Sequence, residues 1–384
     1  MNPTPPTAAE LRAAFDAPEP LTIGLEEELM LLDPATLDLL PRAAEVVEAA
    51  ADPRVKLEMP AAQLELTLPP ARSVPAAIAA LGEGRRFLAA AAAPVGRLAS
   101  AGVHPFAAAH GVLNDTARYR LTEDEFGDIA RSQLVCAFQV HVAVGGADRS
   151  LGVYNGLRPW LPLIAALAAN APFHDGRDTG LASIRPKIGE QLPRQGMPPA
   201  ISTWEAFADA LAWGAASGSL PDAQRWWWEL RPHPRYGTLE VRVPDAQATV
   251  ADAAAVAALV HCLVAWLADR YEAGEELPTA DTWRIEENRW FALRHGMDAE
   301  LADLRTGVRT PVRHALRALV AELEPVAERL GCDAELATVE ALGADPGAAR
   351  QRRAFAAGGL RGVAEYLAGA YVPSEEYEPL LREA

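Results

Sequence analysis

Three glutamates, Glu26, Glu27 and Glu28, interrupt the apolar run TIGLEEELML at residues 22–31. Taking an unpaired carboxylate out of water is expensive, so these charges must be solvated, neutralised or used. Alternate side chains of a strand share a face. Gly24, Glu26, Glu28 and Met30 therefore face one way, and Leu25, Glu27, Leu29 and Leu31 the other. Three more segments follow the same grammar. In QLELTL (63–68), Gln63, Glu65 and Thr67 oppose Leu64, Leu66 and Leu68, with Glu58 upstream of Pro60. In CAFQVHVAV (136–144), Gln139, His141 and Ala143 oppose three valines. In TLEVRV (238–243), Thr238, Glu240 and Arg242 oppose Leu239, Val241 and Val243.

Joined in one antiparallel sheet, these strands would pack their apolar faces on helices, as such sheets commonly do. The other face would collect Glu26, Glu28, Glu65, Glu240, His141, Gln139 and Arg242, with no lysine. Converging carboxylates raise one another's pKa, and a divalent cation relieves the repulsion. An oxygen-rich set suits Mg2+ or Mn2+, which share their coordination with phosphate and water. The face thus reads as a platform for a metal–nucleotide complex, with Arg242 placed to stabilise a transferring phosphoryl group. The competing reading is four ordinary edge strands with solvated polar faces. Glu27 does not fit the alternation and calls for a buried arginine or a bulge.

The elements that must position these residues are strands at Leu21–Leu32, Val55–Leu68, Val135–Val144 and Thr238–Val243. Helical patterns cover Pro75–Ala101, Pro159–Ala169, Trp204–Ala216, Asp252–Glu275, Arg309–Leu330, Asp333–Leu342 and Pro346–Ala370. The fold class expected is α+β, a curved antiparallel sheet with helices on one face. Residues 1–20, rich in proline and alanine, read as a flexible tail with one helical turn, and 21–384 as a single catalytic domain. The stretch Arg177–Ile201 has little periodicity and the length of a functional loop.

The chain has 384 residues and a net charge of −17, which disfavours nucleic acid and anionic membrane as partners. Three distant cysteines spell neither a disulfide framework nor a zinc site. The N-terminus lacks the basic and apolar regions of a signal peptide. Ala253–Ala268 is too short and polar to span a bilayer. A cytoplasmic location is expected. Neither a phosphate-binding P-loop nor a dinucleotide fingerprint follows a strand.

Together the segments resemble the type 2 glutamate–cysteine ligase family, the carboxylate–amine ligases. Gly24-Leu25-Glu26-Glu27-Glu28 matches its opening G-x-E-x-E strand, and Glu58 and Glu65 its acid-x6-Glu spacing. Residues 136–142, CAFQVHV, match its C-x-x-H-V-H-V strand, with Gln139 replacing the first histidine. Residues 231–242, RPHPRYGTLEVR, match its most specific block, and 287–296, ENRWFALRHG, a late helical motif.

The resemblance implies a glutamine-synthetase-like catalytic fold and ATP-dependent amide formation through an acyl phosphate. Glutamate is the implied donor and cysteine the default acceptor, and several Mg2+ ions are implied. It makes Glu26, Glu28, Glu65 and Glu240 the metal ligands and adds Glu58, His141 and Arg242 as catalytic candidates. Arg185, Arg194, Arg231 and Arg235, with Lys187, offer cations for phosphate or the donor carboxylate. A homo-oligomer is expected. A ligase for another amine, a non-catalytic nucleotide-binding homologue and a small-molecule kinase remain open.

Overall fold

The computed structural model describes residues 4–220, 222 and 225–372. Eleven strands form in chain order: β1 (Ile23–Leu32), β2 (Val55–Leu57), β3 (Gln63–Thr67), β4 (Arg97–Ala99), β5 (Phe138–Val142), β6 (Phe173–His174), β7 (Arg177–Asp178), β8 (Leu230–His233), β9 (Thr238–Val241), β10 (Glu300–Ala302) and β11 (Arg309–Pro311). Seven of them make one antiparallel sheet in the order β2-β3-β1-β5-β9-β8, with β4 also on β1. β6–β7 and β10–β11 are separate two-stranded pairs.

The expected strand at Val55–Leu68 is divided into β2 and β3 around Pro60, whose missing N–H cannot serve a ladder. The R-P-H-P block is itself a strand, β8, and tolerates Pro232 because it lies at the sheet's edge. The helix expected over Pro75–Ala101 ends at Ala92, before Pro94, and the chain returns as β4. There Gly96 passes so close to the Leu32 carbonyl that an added Cβ would lie 2.5 Å from it.

One face of the sheet carries Leu25, Leu29, Leu64, Leu66, Val140, Val142, Leu239 and Val241 into the main core. Helices Val74–Ala92 and Val250–Glu272 close that side. The second of these is long and apolar enough to cross a membrane, contrary to the expectation from Ala253–Ala268, yet 83% of its most apolar window is buried inside the fold. Helices are not confined to this face. Met30 and Leu32, at the far end of the carboxylate face, pack with Val363 and Leu367 of helix Gly347–Tyr371.

Glu27 points to the apolar side and meets Arg85 of helix Val74–Ala92, with Arg85 Nε 3.0 Å from Glu27 Oε2. Both are buried, and Arg85 also donates to the carbonyls of Gln247, Ala248 and Tyr371. A buried arginine is thus what accommodates the misplaced charge.

The expected N-terminal tail is corrected over its described part. Ala8–Asp16 is a helix, started by a reciprocal Thr7–Glu10 capping box. Leu11 and Phe15, four residues apart and so on one face, are both fully buried. This helix packs on the helices Ala147–Leu157 and Trp204–Ser217, and its last turn meets the turn between β8 and β9. Gly237, at a φ of 64°, passes so close that an added Cβ would strike the Ala14 carbonyl oxygen. Residues 1–3 of the tail and 373–384 of the domain lie outside the described residues.

Candidate active site

Cross-strand register assembles the polar face. Glu26 of β1 stands opposite Gln139 of β5 and Thr67 of β3, and Glu28 opposite Glu65. His141 stands opposite both Gly24 of β1 and Glu240 of β9, and Glu240 opposite Arg231 of β8. Residues paired in antiparallel strands project to the same side, so one surface receives all of them.

Glu26, His141 and Glu240 bring one ligand atom each within 4.8 Å of one another. His141 Nε2 lies 3.6 Å from Glu26 Oε1 and 3.9 Å from Glu240 Oε1, is buried, and has no hydrogen-bond partner. Its other nitrogen, Nδ1, is 3.0 Å from Thr238 Oγ1, which fixes the ring. Burial pushes His141 down to about 4, which keeps the imidazole neutral and its lone pair available. An orphaned neutral nitrogen between two carboxylates fits a divalent cation.

Glu26 is pushed up to about 8 by burial and by the charges of Glu65 and Glu240. Burial also acts to raise Glu240, but Arg231, Arg242 and His141 outweigh it and hold this carboxyl well below the usual range. Arg242 Nη1 is 2.5 Å from Glu240 Oε1, and Arg231 Nη2 is 3.1 Å from the same atom.

Glu28, Glu58 and Glu65 lie beside this group, close enough for their charges to act on one another. Burial, with the charges of Glu28 and Glu65, raises Glu58 well above its ordinary value. Glu28 is raised chiefly by burial, against the opposing pull of Arg242. The β2–β3 connection that carries Glu58 is held by Asn114 Nδ2, which donates to the Glu58 carbonyl at 2.6 Å.

Two cavities flank these groups. One, of about 490 Å3, has apolar walls of Pro18, Pro53, Pro69 and Pro70 and reaches Glu26, His141 and Tyr236. The other, of about 520 Å3, is polar and reaches Glu28, Glu58, Arg118, Arg225, Trp227 and Arg242. Charged groups of the polar face therefore line both cavities, Glu26 and Lys56 in the first and Glu28, Glu58 and Arg242 in the second.

The glutamate–cysteine ligase family 2 model matches residues 22–371 of this sequence. The chain belongs to that family. A relative in Rubrobacter xylanophilus, provisionally assigned as glutamate–cysteine ligase 2-3, is 41% identical over 94% of this chain and 99% of its own. A Corynebacterium glutamicum relative, provisionally a glutamate–cysteine ligase 2, is 38% identical over 88% of this chain and 92% of its own. The fold is shared with the glutamate–cysteine ligase of Francisella tularensis solved with AMP. That match has a TM-score of 0.69 and 13% identity and covers 94% of this chain and 91% of the other. A bifunctional glutathione synthetase from Pasteurella multocida matches at a TM-score of 0.62 and 15% identity, over 94% of this chain and 54% of its own. The expected α+β fold and family are therefore those of the chain, and it is a ligase-family protein.

Within this family fold, Glu26, Glu28, Glu58, Glu65, His141, Glu240 and Arg242 all lie on the polar face. His141, read as a catalytic group, lies with Glu26 and Glu240 in an arrangement that could hold a metal ion. The expected phosphate cations divide. Arg185 is engaged elsewhere: its guanidinium meets Asp245 at 2.7 Å and the Val243 carbonyl at 2.6 Å, bracing the chain after β9. Arg231 is bound to Glu240. Arg194 is half-buried over the Trp227 ring, its Nη2 without a partner. Arg235 is exposed in the β8–β9 turn, over Tyr236.

Gln139 is not idle. It donates to Glu28 at 2.8 Å and accepts from Arg242 at 2.7 Å. The three consecutive tryptophans separate: Trp226 packs on Phe207 and Trp228, while Trp227 lines the polar cavity. Sequence reading missed Arg118 and Tyr119, which come from the helix Ala117–Phe126 that no pattern flagged. It also missed Lys56, which stands opposite Glu65 on a face read as free of lysine.

Proposed function

We propose that the protein joins a carboxylate to an amine at the expense of ATP, with L-glutamate as donor and L-cysteine as default acceptor. The observation that carries this reading is Arg242, which lines the polar cavity with Glu28 and Glu58 and is bonded to Glu240. The nucleotide occupies the apolar cavity and its phosphates reach Glu26 and His141. The donor occupies the polar cavity. Glu26, His141 and Glu240, with Glu28 and Glu65 beside them, would hold divalent cations, which would supply positive charge against the phosphates.

A donor carboxylate oxygen attacks the terminal phosphorus, and ADP departs. The amine nitrogen then attacks the acyl carbon, and phosphate departs. Arg242 faces the charge that builds on the transferring group. Gln139 fixes Arg242 against Glu28, and Arg231 fixes Glu240. Glu58, raised in proton affinity and lining the polar cavity, accepts the proton the amine must lose. A different acceptor amine is the second reading, favoured by the bulky Trp227 in the polar wall.

The test is ADP release from Mg·ATP and L-glutamate, with and without a panel of amines, with products identified by mass. Turnover that requires glutamate and one amine, with an amide product, is expected. Tight Mg·ATP binding without turnover on any donor would transfer the site to a regulatory role.

A further inference from the structure

Only two of the chain's 35 basic residues are lysines, Lys56 and Lys187. Everywhere else the chain uses arginine, including against Glu27 and Glu240. Lys56 is on β2, directly opposite Glu65 and on the carboxylate face. Its Nζ lies 3.2 Å from Glu65 Oε1 and 2.7 Å from Thr67 Oγ1. Its side chain is 48% exposed and lines the apolar cavity together with Glu26 and His141.

We infer that Lys56 is a phosphate-binding residue, parked on Glu65 until a divalent cation takes that carboxylate and then turned onto the terminal phosphates of the nucleotide. This rests on the reading of the apolar cavity as the nucleotide site. Two physical arguments support it. A half-exposed ion pair contributes little to stability, so Nζ leaves Glu65 at small cost. An ammonium is also a compact point charge on a flexible stem. A guanidinium at the same position would grip both Glu65 oxygens in a fork and compete with the metal. Arg54, the other cation lining this cavity, is tied to Asp52 by its own side chain and backbone and is not free to move in this way.

The test uses the full chain, Mn2+ titrated by its paramagnetic signal, and calorimetric binding of ADP and AMP in the presence of Mn2+. For Lys56→Met, ADP affinity should fall by about 10- to 100-fold, the scale of a hydrogen bond to a charged group. AMP affinity should hold, and Mn2+ alone should bind as well or better, because a competing cation is gone. For Lys56→Arg, Mn2+ alone should bind more weakly. Undiminished ADP affinity in Lys56→Met would overturn the inference, as would parallel loss of ADP, AMP and Mn2+, which marks a structural role. Wild-type behaviour of Lys56→Arg would overturn the requirement for an ammonium. A wild-type protein that binds neither nucleotide removes the nucleotide reading and this inference together. Binding by wild type that is unchanged in Lys56→Met removes the inference alone.

Discussion

Gln139 and Arg242 are joined by a 2.7 Å hydrogen bond across β5 and the end of β9, and each also holds a different glutamate. Gln139 reaches Glu28 and Arg242 reaches Glu240, so one relay connects the two carboxylates. Arg242→Ala should lower ADP release by roughly 10²–10³-fold, the scale of one lost transition-state donor. Gln139→Leu should lower it by about tenfold, since it removes only the orienting bond. Unchanged turnover in Arg242→Ala would place this residue outside the chemistry.

Glu26→Gln separates stability from function. Burial and the charges of Glu65 and Glu240 raise Glu26 to about 8, so its ionisation in the metal-free protein is costly. The neutral amide removes that cost. Its melting temperature should equal or exceed that of wild type, while Mn2+ binding at this set and nucleotide turnover are lost. In wild type a cation must displace the Glu26 proton below pH 8, so apparent Mn2+ affinity should rise about tenfold per pH unit from 6 to 8. A flat profile over that range would count against Glu26 as a ligand.

The Glu27–Arg85 pair lies on the opposite face and serves the fold. Arg85→Ala leaves a buried carboxylate without its partner and should cost about 3–5 kcal/mol, read from urea unfolding. Replacing both residues by leucine should recover much of that loss. The carbonyls of Gln247, Ala248 and Tyr371 would lose donors in either variant, which keeps recovery incomplete.

His104 gives a clean acid response away from the metal candidates. Burial pushes it down to about 4, with its Nε2 2.8 Å from the Leu37 carbonyl. Between pH 6.5 and 4 the unfolded chain takes up this proton and the folded chain does not, so stability falls as pH falls. His141 and His233, pushed down to about 4 and about 3, act in the same direction. His104→Asn should flatten unfolding free energy against pH by up to about 1.4 kcal/mol per unit in that window. An unchanged slope would show that His104 titrates alike in both states.

By itself the sequence determined which residues share a polar face. Strand alternation sorts Glu26, Glu28, Glu65, Glu240 and His141 from leucine and valine, because side-chain period is a local property of the backbone. It also exposed Glu27 as a charge needing a buried partner. The partner itself was a tertiary decision, since nothing local links residue 27 to residue 85. The same holds for the arginines. An arginine advertises a charge but not which carboxylate it will meet, and packing gave Arg185 to Asp245 and Arg231 to Glu240. Lys56 was hidden because Pro60 breaks the strand and obscures its face. The N-terminal helix was hidden because nine residues gain stability from docking Leu11 and Phe15 rather than from their own propensity. Which side chains touch was settled by register between strands roughly one hundred residues apart in sequence, Glu26 on Gln139 and His141 on Glu240. Only the assembled sheet, with its apolar face packed on helices, fixes that register, because a slip of one residue would turn the carboxylates into the core.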